Sequence, residues 1–414
     1  MHATGRGRTG IVRAALAAVA LGALAAAGPA RAEGEGFKIG EAGRLHLFLE
    51  FVGGYDSNAL YNLGGSPIGS GVLDLIGGLK LSVAGRTVAL RLDANLDYKW
   101  YLDSQASDLS RLFGGATLGF TVNPDGAVGL KLDDTFTSSP NTTSYSLAQS
   151  AVSDYNVLNV AVPVRPGGGA LTITPSGQWI LQSFEPYGPA GPACDPLVNP
   201  TCTNQDIGAY GYNQLAAALQ AKWAFLPKTA VLVEGSWFKR YPNDATVSYG
   251  IQGWKAWGGA AGLVTSHLAA TLKGGYGGVF DTPQVTGGTW LLNAEVQYLT
   301  DGVIDARLGY LHDFAADIGL AYSLYYFDRV YLDLKWHLQR FVVKVVGSWD
   351  WVHYVLNDVT GPILQVTPGL DYELARWAYL GASYTYTYRS SNETAVPAFN
   401  YTRNQVYGYL KLVW

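Results

Sequence analysis

Val88-Ala89-Leu90-Arg91-Leu92-Asp93-Ala94-Asn95-Leu96-Asp97-Tyr98-Lys99-Trp100 decides the fold. Val88, Leu90, Leu92, Ala94, Leu96, Tyr98 and Trp100 share one side. Ala89, Arg91, Asp93, Asn95, Asp97 and Lys99 share the other. A period of two places successive side chains on opposite faces of a β-strand. One face suits an apolar medium and the other suits water. In residues 326–338, Val330, Leu332, Leu334, Trp336 and Leu338 oppose Arg329, Asp333, Lys335 and His337. In the next segment Phe341, Val343, Val345, Trp349 and Trp351 oppose Lys344, Ser348 and Asp350.

Composition agrees with a two-faced chain. Of 414 residues 48% are hydrophobic, 13% aromatic and only 14% charged, against about 25% charged in soluble domains. Disorder needs the opposite balance. Membrane helices need apolar runs of about 20 residues, and none follows residue 32. The N-terminus reads as an export signal: Arg6, Arg8 and Arg13, an apolar stretch over 14–27, then Ala30-Arg31-Ala32 as the cleavage pattern. Cleavage after Ala32 removes four of the 28 basic residues, leaving 24 against 32 acidic ones, a net charge of −8. With no basic run left, a nucleic-acid partner is not expected. Residues 33–43 would be a short periplasmic segment and 44–414 the membrane domain.

Eighteen alternating segments follow, near 44–53, 71–83, 87–102, 109–122, 126–137, 154–165, 170–183, 210–225, 229–241, 251–264, 267–280, 288–299, 303–314, 325–337, 341–354, 362–373, 378–389 and 401–414. Sixteen is the alternative count. Short turns alternate with mostly longer connections, such as 54–70, 138–153, 185–208 and 315–324. That asymmetry marks an outer-membrane barrel with periplasmic turns and extracellular loops. The chain is therefore read as all-β, a closed transmembrane antiparallel barrel. Residues 154–183 are the weak place, because Pro163 and Pro175 each remove a ladder donor. A bulge or a miscounted hairpin would fall there.

The aromatic and charged residues sort by face. Trp100, Trp237, Trp290, Trp349 and Trp351 fall toward the loop ends of their strands, and Trp223, Trp336, Trp377 and Trp414 toward the turn ends. All point outward by parity, giving the two aromatic girdles that bilayer interfaces favour. Trp414, preceded on its face by Leu412, Leu410 and Val406, resembles the terminal signal read by the barrel-assembly machinery. Arg91, Asp93, Asp97, Lys99, Lys131, Asp133, Lys273, Glu295, Asp305, Arg307, Arg329, Asp333 and Lys335 fall on the opposite face and would line the lumen. Cys194 and Cys202, seven residues apart in an exported chain, read as a loop disulfide. Six scattered histidines show no metal-ligand spacing, and no catalytic motif stands in context. No cofactor, metal or enzymatic activity is expected.

Phe51-Val52-Gly53-Gly54-Tyr55-Asp56-Ser57-Asn58-Ala59 ends the first strand in a turn whose Asp and Asn side chains can cap their own backbone. The stretch Gly54, Tyr55, Asp56, Ser57 and Asn58 also resembles the "GYDSN" opening of an outer-membrane β-barrel porin family, whose relatives include barrels associated with polysaccharide export. The barrels of surface-lipoprotein assembly modifiers open similarly, but those carry a helical repeat domain that the short segment before residue 44 does not accommodate. Tyr325-Tyr326-Phe327-Asp328-Arg329-Val330 looks like a strand start in the same group. The resemblance implies a porin-like channel, with an exopolysaccharide as the finer expectation and a periplasmic export protein as partner. Inward tyrosines Tyr101, Tyr401, Tyr407 and Tyr409 suit stacking on sugars, or else fill space and pair with neighbouring charges. The alternatives are a general diffusion porin, or a closed-lumen receptor barrel that binds ligands through loop 185–208.

Overall fold

The structure, a computed structural model, describes residues 36–59, 67–140, 151–186, 207–244, 250–280, 287–300, 303–316, 324–355, 358–392 and 400–414. A three-residue strand, β1 (Phe37–Ile39), precedes eighteen long ones. These are β2 (Gly43–Asp56), β3 (Ser70–Ala84), β4 (Val88–Tyr101), β5 (Arg111–Val122), β6 (Leu130–Ser139), β7 (Ala151–Ala161), β8 (Leu171–Pro186), β9 (Tyr212–Leu226) and β10 (Thr229–Pro242). The second half comprises β11 (Ile251–Leu263), β12 (Leu268–Phe280), β13 (Gly287–Thr300), β14 (Ile304–Ala316), β15 (Leu324–Leu338), β16 (Phe341–Tyr354), β17 (Val359–Ala375), β18 (Ala378–Arg389) and β19 (Tyr401–Val413). β1 folds back on β2, Phe37 opposite Leu45. Each of β2 to β19 pairs antiparallel with its chain neighbours. The export signal and both cysteines, Cys194 and Cys202, lie outside the described residues.

Closure follows from the backbone. Lipid offers no hydrogen-bond partners, so a spanning sheet must have no edge. β19 meets β2 in register from Gln405 opposite Asp56 to Val413 opposite Phe48. Leu47 and Trp414 continue that ladder, exchanging backbone bonds of 3.1 and 2.8 Å. Inside the loop end of the seam, Arg403 grips Asp56. Its Nε donates to Oδ1 at 2.9 Å and Oδ2 at 3.1 Å, and its Nη2 donates to Oδ2 as well. Both side chains are buried. Asp56 Oδ1 also accepts the Asn58 N–H at 3.0 Å, and Ser57 Oγ accepts the Asn404 N–H at 2.8 Å. Asp56 of the opening motif thus caps its own turn, and with Ser57 it ties the two ends of the chain together.

Neither a bulge nor a miscounted hairpin is found at the prolines. Val162 donates to the Pro175 carbonyl at 3.0 Å, Gly129 donates to that of Pro163 at 2.9 Å, and Val164 and Ile173 bridge beyond them. The missing donors thin the ladder without shifting its register. They do shorten it, so β7 ends at Ala161 and β6 begins at Leu130. Register shifts fall instead at two turn ends, between Thr229 and Val231 and between Glu373 and Ala375. In β17, where Pro368 removes a further donor, pairing with β18 lapses between Val366 and Gly369. There the Thr367 and Thr385 hydroxyls bond at 3.0 Å.

Exposure separates the faces. Leu219, Val233, Leu272 and Leu308 stand 56–59% exposed on the outside. Trp100, Trp223, Trp237, Trp290, Trp336, Trp349, Trp351 and Trp377 are exposed there too, with Trp179 and Trp254. Trp414 is half-buried in the closing seam, and Trp257 faces inward beside Val279 and Phe238.

Two outcomes test this architecture. Arg403→Ala should destabilise the barrel by about 3–5 kcal/mol, because it strands a buried carboxylate, and the double variant Asp56→Asn/Arg403→Gln should lose less. Urea unfolding in lipid vesicles, followed by tryptophan fluorescence, reads both. Leu219→Arg, at the middle of the outer face of β9, should cost about 2–4 kcal/mol, whereas the inner-face neighbour Gln220→Arg should change stability little.

Candidate functional site

The inner face carries opposite charges on neighbouring strands. Register sets Asp74 opposite Lys99, Arg307 opposite Asp333, Asp305 opposite Lys335 and Arg329 opposite Asp350. Lys99 reaches Asp74 at 3.1 Å. Arg329 holds Asp350 with two bonds of 2.6 and 2.8 Å. Glu295 accepts from the Tyr331 hydroxyl at 2.6 Å and lies 3.8 Å from Arg307. Asp371 is shared by Lys344 and the Tyr409 hydroxyl. Arg91 pairs with Asp93 at 2.6 Å and Lys131 with Asp133 at 2.8 Å, each along its own strand. Lys273 lies 5.4 Å above the Trp257 ring, and Gln297 donates to Asp305 at 3.5 Å. Asp97 sits on the same face of β4 as Lys99. Paired charges make a wall that is polar yet nearly neutral locally, which holds water without strongly favouring either ion sign.

Inner aromatic rings lie against glycines of the adjacent strand. Tyr331 stands opposite Gly309, Tyr409 opposite Gly381, Tyr407 opposite Gly54, Phe48 opposite Gly78 and Phe238 opposite Gly253. A Cβ at any of these glycines would collide with that ring. The rings therefore lie flat on the wall, and the Tyr331 and Tyr409 hydroxyls reach carboxylates. Large residues line the lumen in this way without filling it.

The loop end is different. Four buried apolar clusters sit there. In the first, Ala106 and Leu109 from the 102–110 connection pack on Val72, Tyr101 and Phe113. In the second, Tyr210 joins Ile180, Phe184 and Tyr212. The fourth gathers Tyr325, Val352, Tyr354 and Val359. The third involves a split in the sheet. β13 pairs with β14 only as far as Leu292 opposite His312, whereas β14 continues against β15 to Ala316 opposite Leu324. Beyond the split the β14–β15 tip leans over the inner face. Lys255 of β11 donates to Asp313 Oδ1 at 2.7 Å and to the Phe314 carbonyl at 3.0 Å. Strands three apart would be roughly 14 Å from each other in a flat sheet, so this contact requires the tip to fold inward. Phe314 and Leu324 then pack with Ile251, Val279 and Leu291, near Phe238. At the split, His312 stacks on Trp290 at 3.8 Å and bonds Thr289 Oγ1 at 3.1 Å and Asp328 Oδ1 at 2.8 Å. Polar side chains thus close the opening between the strands.

Tyr101 is buried within the first cluster, and Tyr407 packs against it. Tyr401 lies opposite Arg389 on the inner face. Parity along one strand could identify inner charges such as Lys99 and Arg329, but not their partners Asp74 and Asp350, which depend on register between strands. Nothing in the spacing of His312 or Lys255 marks the split. Among the described residues no group of three or more His, Cys, Asp or Glu is arranged to hold a metal ion.

No protein-family model matches the chain, and no curated protein matches it. The resemblance drawn from residues 51–59 and 325–330 therefore rests on those residues alone. Solved structures of similar shape include OccK2 (OpdF) of Pseudomonas aeruginosa, at 12% identity over 91% of this chain and 99% of that one, with a TM-score of 0.47. OccAB3 of Acinetobacter baumannii matches at 12% identity over 91% and 100%, TM-score 0.46. The siderophore receptor PirA of Pseudomonas aeruginosa matches at 8% identity over 90% and 80%, TM-score 0.44.

Lys255→Ala should loosen the inward tip. Hydrogen exchange should quicken at 313–316 and 324–326 while 268–272 of β12 keeps its protection. Unchanged exchange at the tip would show that Lys255 does not hold it.

Proposed function

We propose that the chain is an outer-membrane channel that passes small hydrophilic solutes through a lumen narrowed at its loop end. The observation that carries this reading is the pairing of a lipid-facing outer wall with an inner wall of cross-strand ion pairs and flat-lying rings. Eighteen strands enclose a lumen of the width that leaves an aqueous path unless it is plugged. The inward-packed connections and the β14–β15 tip then set the size limit. In this reading residues 1–32 direct export and are removed, and the barrel-assembly machinery recognises the terminal strand. Outer-membrane lipid is the surrounding partner.

Planar-bilayer recording of the refolded barrel tests the proposal. Steady, step-like conductance that rises when Lys255→Ala frees the tip is the expected result. Absence of conductance from correctly folded barrel would favour a closed receptor barrel, for which the apolar clusters at the mouth would be the plug.

A second reading, conduit for an exopolysaccharide coupled to a periplasmic export protein, draws on the sequence resemblance and on the flat-lying rings of Tyr331 and Tyr409. A ring laid on the wall turns its other face to the lumen, where a sugar ring can stack. Deleting the gene and assaying surface polysaccharide separates this from the small-solute channel, for which secretion should be unchanged.

A further inference from the structure

The outer wall at β6 carries a group that lipid does not suit. Asp134 of β6 lies outward between Leu132 and Phe136 along its strand, and between Leu118 of β5 and Leu158 of β7 across the sheet. Phe120 of β5 and Val160 of β7, the next outward residues toward the turn end, are apolar as well. Asn156 of β7, on the same face, donates its Nδ2 to Asp134 Oδ1 at 3.0 Å, with the Thr135 carbonyl at 3.5 Å. Asp134 Oδ2 and Asn156 Oδ1 have no hydrogen-bond partner among the described residues. Polar groups within a hydrocarbon layer face protein or water rather than lipid.

The aromatic girdles are interrupted at the same place. No Trp or Tyr points outward from β5, β6 or β7, whereas every other run of three adjacent barrel strands carries at least one. Trp100 on β4 and Trp179 on β8 flank the gap. Between Leu112 and Leu118 the outward residues of β5 are small, Gly114 and Ala116, which lets another wall approach closely. A carboxylate among leucines, a missing girdle and small residues coincide on three neighbouring strands.

We propose that the outer face of β5–β7 is the interface of a homodimer, with a twofold axis along the membrane normal. A twofold axis brings the same patch of each copy face to face at the same depth. Asn156 of one copy bonds its own Asp134 at 3.0 Å and the Thr135 carbonyl only at 3.5 Å, so its second N–H can turn from that long contact to the partner's Asp134, and the partner's Asn156 does the same in return. The patch is self-complementary: each copy supplies both a donor and an acceptor, and the carboxylates meet amides rather than each other. This inference is independent of what passes through the lumen.

The test uses the full-length barrel reconstituted in nanodiscs large enough for two copies, with mass read by native mass spectrometry. The wild type is expected to be dimeric. Asp134→Leu/Asn156→Leu, which makes the face more lipid-like and so keeps the barrel folded, should raise the dimer dissociation constant by at least about tenfold. Unchanged circular dichroism and heat-modifiability would confirm that the fold survives. Leu272→Ala, on the outer face far from the patch, should leave the dimer intact. A monomeric wild type, a trimer, or a dimer that withstands the double substitution would each overturn the proposal.

Discussion

A backbone amide in lipid has nothing to bond to but another strand, and the rest of this molecule follows from that constraint. Seventeen of the eighteen strand contacts join chain neighbours, linked by a single turn or loop. The remaining contact, β19 against β2, joins residues some 350 positions apart in sequence and must be specified by side chains. Asp56 and Arg403 supply that specification at the loop end of the seam, with Ser57, Asn58 and Asn404 bonded around them. At the turn end Leu47 and Trp414 complete the ladder. Without this one seam, two strand edges would stand open in hydrocarbon, each unpaired group costing several kcal/mol.

Once the wall is closed, alternation assigns every residue to lipid or lumen. That is why so much of the fold could be read from the sequence. The pattern in residues 88–100 and its repeats yielded strand number, turn positions and facing, because each depends only on neighbours along the chain. Neither the bulge nor the miscounted hairpin considered for Pro163 and Pro175 appeared, because proline removes a donor without lengthening its strand, so the ladder loses bonds but keeps step. What depends on two distant strands was not legible. The partner of Arg329 is Asp350 rather than a residue of β14, and Lys255 reaches across to β14 only because the sheet splits above His312.

That split changes how the lumen should be pictured. A uniform cylinder of eighteen strands would have the same bore at both ends. Here the inner face is polar over its middle and apolar at the loop end, where connecting segments and the β14–β15 tip have turned inward. Buried apolar contacts hold such a constriction without further bonds, and a single ion pair, Lys255 with Asp313, positions its tip. The width of the wall and the shape of its mouth thus have different origins. Strand number fixes the first, and a few side chains at the loop end fix the second.

The unusual composition follows from the same division. Glycine is abundant, at 51 residues, and aromatic residues make up 13%. In a soluble core the two would be unrelated, but here they meet across strands. Wherever an inner ring must lie flat to keep the lumen open, the residue beneath it can have no side chain, as Tyr331 over Gly309 and Tyr409 over Gly381 show. On the outer face the girdle tryptophans stand exposed at the two ends of the wall. Aromatic residues therefore do opposite things on the two faces. Outside they anchor the wall in the bilayer interface, and inside they cover the strands while leaving the bore clear. The hydroxyls of Tyr331 and Tyr409 then tie those inner rings to Glu295 and Asp371, so the lining is held by the same charges that make it polar.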